Sequence, residues 1–155
     1  MNYILVSSDG FTDSGAALSA YNICLARIRR GRWPMYSNTA HNKRIKSNDQ
    51  FIIYVAGKKV NKQNFILSFK AKKIITKKIE MLNVDHAILK LTNPHPDKEI
   101  VFEPKEINNL LPIHSCLDML DHTKNRKSVK WGSLMMGGAK SITEHDFKFI
   151  ASKLK

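Results

Sequence analysis

The chain has 155 residues, 43% of them hydrophobic, and a formal net charge of +13. This length suits one domain with a buried core, so we predict a single domain over residues 1–155. No apolar run approaches the roughly 18 residues that would cross a bilayer, and the first residues lack the basic and apolar regions of a signal peptide. We therefore expect a cytoplasmic protein with no membrane partner.

The positive charge is concentrated in the first half of the chain. Residues 14–79 contain 15 lysines and arginines and one acidic residue, Asp49, whereas the remainder contains 11 basic and 12 acidic residues. A surface of one sign concentrates polyanions and speeds their capture, so this segregation predicts a nucleic-acid partner. The alternative is a lysine-rich surface that is merely solvated.

The cysteines and histidines do not form a recognisable metal or redox pattern. Cys24 and Cys116 lie far apart in the sequence, and neither belongs to a C-x-x-C pair, which favours two buried free thiols. No two histidines stand at the i, i+4 spacing that places two ligands on one helix face. We therefore expect no metal site and no cofactor.

The first elements are a strand and a helix. An apolar run at residues 3–6 is followed by turn-forming residues, which predicts a buried strand. Apolar residues then recur at helical spacing over 17–28, with Asp13 or Ser14 as the cap and Gly31 just past the end. Arginines in the last turn complement the negative end of the helix dipole, so part of this cluster has a structural explanation.

Beyond the helix, the pattern indicates mainly strands and loops. The predicted elements are an irregular loop at 33–42, a turn at 46–49, a core strand at 51–55, a hairpin loop at 57–64, a long strand at 65–75, short strands at 87–91 and 100–102, and a helical turn at 107–111.

The end of the chain predicts a second helix. Thr143, followed three residues later by Asp146, resembles a capping box in which Asp replaces Glu. Phe147, Ile150 and Leu154 then form one apolar face. Strands with a helix at each end of the chain predict an α+β domain built around a curved or barrelled sheet.

The order of these elements resembles the EVE domain, a member of the PUA-like superfamily. The resemblance lies in residues 2–6, the loop at 33–42, the basic turn and apolar strand at 45–54, and the final segment from Trp131-Gly132 through Gly137-Gly138 to Ile150. It covers nearly the whole chain. Many members have Gly where Asn48 stands, and Asn tolerates the same left-handed backbone. The resemblance implies a PUA-like curved sheet or pseudo-barrel of about five to six strands with flanking helices.

The same resemblance implies a nucleic-acid-binding module, which in several members holds a modified base extruded from DNA. Such a base needs an aromatic face and hydrogen-bonding groups, and its phosphates need cations. The residues that match the base pocket are Trp33, Tyr36, Ser37, Asn38, His41 and Asn42. The cations that match a role in binding the backbone are Arg27, Arg29, Arg30, Arg32, Lys43, Arg44 and Lys46.

Several alternatives remain open from the sequence. Trp33, which precedes Pro34, is either a stacking platform or a core residue. The ligand is either DNA with a modified base or RNA, such as tRNA or rRNA, held by its structured backbone. A nucleic-acid-processing enzyme is disfavoured, because the basic half contains one carboxylate, Asp49, in a turn where it has a structural role. The near-neutral second half also suits a protein partner.

Overall fold

The computed structural model describes residues 1–12, 14–76, 96–125 and 131–155. In chain order its helices and strands are β1 (Asn2–Ser7), β2 (Gly10–Phe11), β3 (Ala17–Leu18), α1 (Ala20–Arg30), β4 (Arg32–Met35), β5 (Gln50–Val55), β6 (Asn64–Lys70), β7 (Lys73–Ile75), β8 (Lys98–Val101), β9 (Leu111–Pro112), β10 (Ala139–Ile142) and α2 (Glu144–Lys153). The predicted strand at 87–91 lies outside the described residues. Neither α1 nor α2 has the length and apolar character that a bilayer crossing requires.

The main sheet has five strands in the order β10-β1-β5-β6-β9. At its centre β1 and β5 run parallel, in register from Asn2 opposite Gln50 to Ser7 opposite Val55, and their outer neighbours are antiparallel. Both central strands are almost entirely buried. This burial explains their continuous apolar sequences, since a strand covered on both faces shows no alternation. The strands predicted at 3–6 and 51–55 are confirmed.

The two faces of this sheet support two separate parts of the core. Tyr3 and Leu5 of β1 belong to the first apolar cluster, which also contains residues of α1 and of a second sheet. Ile4 and Val6 belong to the other cluster, which contains Ile150 of α2. Helices and strands therefore form a mixed structure around one sheet, and the predicted α+β class is confirmed.

The second sheet has three strands in the order β4-β8-β7. The irregular loop predicted at 33–42 is wrong in its first three residues, which belong to β4. Trp33 lies opposite Ile100 in an antiparallel ladder. Pro34 is tolerated within β4 because this strand is at the edge of the sheet, where a residue that lacks an N–H can be accommodated. The strand predicted at 100–102 is present as β8, which begins two residues earlier, at Lys98.

The long strand predicted over 65–75 is two strands in different sheets. β6 ends at Lys70 and β7 begins at Lys73. Between them, the Ala71 amide donates to the Asp49 carbonyl and the Lys72 amide donates to the Val101 carbonyl, so the chain leaves one sheet and joins the other. The alternating pattern does not reveal this break because both halves are extended.

Helix α1 begins later than the sequence predicts. Ser19 is the cap, and its hydroxyl oxygen accepts from the Asn22 amide at 3.1 Å. Before the helix, β2 and β3 form a short hairpin. Ser14 therefore lies outside the helix, and Asp13 lies outside the described residues. The end is as predicted, with Gly31 in the left-handed region at φ 67°.

Helix α2 confirms the cap at Thr143 but not the reciprocal half of the capping box. The Thr143 hydroxyl oxygen accepts from the Asp146 amide at 3.1 Å. The Asp146 carboxylate instead accepts from the amides of Asp121 at 2.7 Å and His122 at 2.9 Å, and so ties the helix to the preceding segment. The helical turn predicted at 107–111 is wrong: β9 begins at Leu111, and a short 3-10 helix follows at Ile113–Ser115.

We predict that Gly31→Ala destabilises the fold by at least about 1–3 kcal/mol. The left-handed backbone disfavours any side chain, and a Cβ atom would overlap the Phe102 carbonyl oxygen. Thermal and denaturant unfolding measure the effect. Gly132→Ala is the control, because an added Cβ has no neighbour within 4 Å at that position. Equal stability of the two variants would contradict this role for Gly31.

We also predict that Asp146→Ala lowers the free energy of unfolding by about 2–4 kcal/mol, because two partly buried amides lose a charged acceptor. Asp146 is 1% exposed, so water does not replace its carboxylate. Denaturant unfolding measures the loss, and the exposed Glu106→Ala serves as the control. A change below about 0.5 kcal/mol, typical of a surface position, would show that the carboxylate does not hold the helix.

Candidate nucleic-acid interface

Residues 36–49 connect β4 to β5 and are called here the 36–49 loop. Asn42 anchors it: the side-chain amide donates to the Tyr36 carbonyl at 2.6 Å and to Asp97 Oδ1 at 2.9 Å. The backbone carbonyl of Asn42 accepts from Lys98 Nζ at 2.7 Å. Asn42 is only 5% exposed. Its amide donors therefore hold the loop against the start of β8, and the predicted base-reading role does not fit this geometry.

The second half of the loop is a turn built around Asp49. This carboxylate is 2% exposed, accepts from the Lys46 amide at 3.0 Å and bonds the amino-terminal ammonium of Met1 at 2.8 Å. Asn48 has φ 69°, the left-handed conformation expected where many EVE domains have Gly. The predicted turn at 46–49 is confirmed, and the acidic residue of the basic half is turned inward.

The loop forms an open concavity of about 410 Å³, called here the loop groove, lined by Ser37, Thr39, His41, Asn42, Lys43 and Arg44. Ser37, Lys43 and Arg44 are exposed, as are Asn38 and Lys46 nearby in the sequence. The structure therefore brings a part of the predicted base pocket and a part of the predicted backbone-binding set to one surface. This surface combines hydroxyl and imidazole groups with two cations.

Two aromatic side chains of the loop are partly accessible. Tyr36 and His41 are each half-buried, and His41 adopts φ 61° with its ring 5.7 Å from the Tyr3 ring. Burial raises the pKa of Tyr3; the charge of Asp49 raises it further, and the charge of Arg44 lowers it. The Arg44 guanidinium thus acts electrostatically on Tyr3, whose ring lies beside that of His41.

Trp33 is a core residue. Its side chain is 3% exposed, and the Arg27 guanidinium lies 4.7 Å from the centroid of its ring. Arg27 is itself only 7% exposed. Of the two sequence-based alternatives for Trp33, the core residue is the one that agrees with the structure. Stacking on a base by Trp33 and phosphate binding by Arg27 both fail to fit, because neither group is accessible. A desolvated cation over an indole ring is a stabilising contact in its own right.

The other arginines of the predicted cluster lie at the far end of β4. Arg29 and Arg30 are exposed at the end of α1, and Arg32 Nη1 lies 2.7 Å from the buried carboxylate of Glu99. Arg32 starts β4 and Met35 ends it, so about 10 Å of strand separates the helix end from the loop. The predicted cations therefore form two groups and do not surround one mouth.

Among the described residues, one group of side chains has the chemistry and spacing of a metal site: Asp121, His145 and Asp146. The group lies at α2, across the main sheet from the loop. Its carboxylates are already engaged, since Asp121 accepts from Lys124 at 2.7 Å and from Thr143 at 2.9 Å, and Asp146 accepts from two amides. These bonds give the cluster a structural role.

The two cysteines are buried and unpaired, as the sequence predicts. Burial raises the pKa of Cys24 to about 12 and that of Cys116 to about 11. Both thiols therefore stay protonated at neutral pH, and neither has the thiolate character of a nucleophile.

Comparison of the sequence with protein-family models and with curated proteins gives no match. Among solved structures, the N-terminal domain of McrB from Staphylothermus marinus is similar, with a TM-score of 0.56 and 14% sequence identity. The likeness covers 97% of this chain and 93% of that one. At this level of identity the similarity shows a shared fold, which extends over nearly the whole length of both chains.

Proposed function

We propose that this chain is a nucleic-acid-binding module with a PUA-like fold of the EVE type, and that its loop groove reads a modified base in DNA. The observation that carries the proposal is the groove itself, a concave surface with exposed cations at a loop whose one acidic residue, Asp49, is buried and bonded internally. The fold similarity and the resemblance of the sequence to EVE domains support the same proposal.

The cations of the groove suit a phosphate backbone. Within the described part of the chain, no carboxylate lies within ion-pair distance of Lys43, Arg44 or Lys46. Their charge is therefore available to a ligand, unlike the charge of Arg32. Contacts of this kind position a nucleic acid without reading its sequence.

The groups that read a base would come from the same loop. Ser37 and Asn38 offer exposed hydrogen-bonding side chains, and the half-buried Tyr36 and His41 would supply the aromatic face. Of these two, His41 lines the groove. Stacking of a base on such a face is worth roughly 1–3 kcal/mol. With Trp33 in the core, these two rings are the stacking candidates of the loop.

We infer binding without catalysis at this groove. Among the described residues that line it, the titratable side chains are His41, Lys43 and Arg44, and none is a carboxylate or a thiol. General acid–base catalysis by an imidazole usually needs a partner that orients the ring and holds its charge. The groove offers cations in place of that partner.

We predict that Lys43→Ala combined with Arg44→Ala weakens binding to all nucleic-acid sequences alike. Loss of two phosphate contacts lowers the slope of log affinity against log salt by about 1.8 and the affinity at ~0.15 M salt by about tenfold. Fluorescence anisotropy measures both. The matched control is Lys59→Ala with Lys62→Ala, which removes the same charge from exposed positions in the loop between β5 and β6. An unchanged slope in the groove variant would show that the groove does not contact the phosphate backbone.

We predict that substitution of the stacking aromatic residue of the loop lowers the affinity for modified DNA more than the affinity for plain DNA. Tyr36→Ala or His41→Asn should cost roughly 1–3 kcal/mol with the modified base and less with plain duplex, because the stacked base is lost. Tyr36→Phe keeps the ring and is the control; Asn at 41 tolerates the left-handed backbone. Trp33→Ala should instead lose about 3–5 kcal/mol of stability, as a core residue does.

The ligand panel for these titrations is duplex DNA carrying methylated, hydroxymethylated or plain cytosine, together with tRNA. Preference for one modified duplex supports base reading. Equal affinity for all the DNA duplexes, or tighter binding to tRNA, would overturn it and leave a PUA-like domain that binds a nucleic-acid backbone.

A further inference from the structure

A second basic concavity lies along the outer edge of β6, between that strand and α2. It consists of two adjoining hollows of about 350 and 460 Å³ that share Phe69, Lys70 and Lys105. We call it the lysine cleft, after the lysines that line it: Lys70, Lys72, Lys105, Lys148 and Lys155.

The floor of the cleft is an open strand edge. β6 pairs with β9 only at Asn64 and Phe65, and in the described ranges no other strand covers that edge. The Ser68 carbonyl accepts from Lys105 Nζ at 3.2 Å, so it points away from β5 and into the cleft. The amide of a strand residue points to the same side as its carbonyl, so the Ser68 N–H is also directed there.

The charge of the cleft is positive after its internal ion pairs are counted. Glu103 is bonded to Lys72, and Glu144 Oε1 lies 2.6 Å from Lys148 Nζ. Lys70 and Lys105 have no ion-pair partner among the residues that the structure describes. Two uncompensated ammonium groups thus flank an outward-facing backbone amide.

The lysine cleft adjoins the 36–49 loop. The Asn48 amide donates to the Ala71 carbonyl at 3.0 Å, and the Ser47 hydroxyl donates to the Lys72 carbonyl at 3.4 Å. Asn48 also lines the cleft. The turn that carries Lys46 therefore ends at the cleft, and it links the cleft along the chain to Lys43 and Arg44 of the loop groove.

We propose that the lysine cleft is a second phosphate-binding surface, which holds the backbone of the same nucleic acid whose other part contacts the loop groove. Lysine ammonium groups and the Ser68 N–H would donate to non-bridging phosphate oxygens. Contacts of this kind add affinity and fix the register without reading sequence. This inference rests on the proposed function and extends it from one groove to a band that includes Lys70 and Lys105.

The test compares two double variants of the full chain with equal loss of charge. Lys70→Gln with Lys105→Gln removes the free charges of the cleft, and Lys59→Gln with Lys62→Gln removes two exposed charges from the loop at the opposite end of the β5–β6 hairpin. Binding of a plain duplex of about 24 base pairs is titrated by anisotropy across salt concentration. We expect the cleft variant to lose about 1.8 from the salt slope and about tenfold in affinity at ~0.15 M salt, well beyond the control.

Two further results complete the test. Lys70→Arg with Lys105→Arg keeps the charge and should bind like the natural chain, and the melting temperature of each variant reports whether its fold is intact. If the cleft variant and the hairpin-loop control behave alike, the cleft makes no contact and this inference is overturned while the proposed function stands. If the natural chain shows no salt-dependent binding to any nucleic acid, the proposed function itself fails.

Discussion

The parallel pairing of β1 with β5 is the constraint on which the rest of the structure depends. Parallel strands need a long crossover connection, and here that connection is the whole of residues 8–49. Helix α1 and β4 carry the chain back across one face of the sheet, and the 36–49 loop must then bring it to the start of β5. The candidate site is therefore the last part of a crossover that the central pairing requires.

The formal charge of this molecule differs from the charge that is exposed and unpaired, because some of its cations are buried or paired within the fold. Arg27 lies over the ring of Trp33 and Arg32 is paired with Glu99, so two of the cations in the basic half serve the fold. Lys43 and Arg44 stay exposed on a concave surface. The one carboxylate of this loop, Asp49, is paired with the Met1 ammonium at 2.8 Å, so its charge is offset within the protein.

The sequence predicts those features whose causes are local. The apolar runs of β1 and β5, the cap at Thr143, the glycine after α1 and the left-handed Asn48 each follow from neighbouring residues, and each is present. The burial of Trp33, the anchoring of Asn42 by a residue 55 positions away and the meeting of Lys70 with Lys105 depend on tertiary pairing. No local pattern encodes these contacts, so the sequence alone does not reveal the burial of Trp33 and Asn42 or the lysine cleft.

The open edge of β6 has a further consequence for how the molecule behaves in solution. An exposed row of backbone donors and acceptors is a template on which a strand from another molecule can add, and such edges lead to aggregation unless something blocks them. Lysines along the edge oppose this addition, because a second copy would bring its own lysines against them. The protection is electrostatic, and so it weakens as salt screens it. The lysines that we propose as phosphate ligands would therefore also oppose edge-to-edge pairing between two copies of the chain.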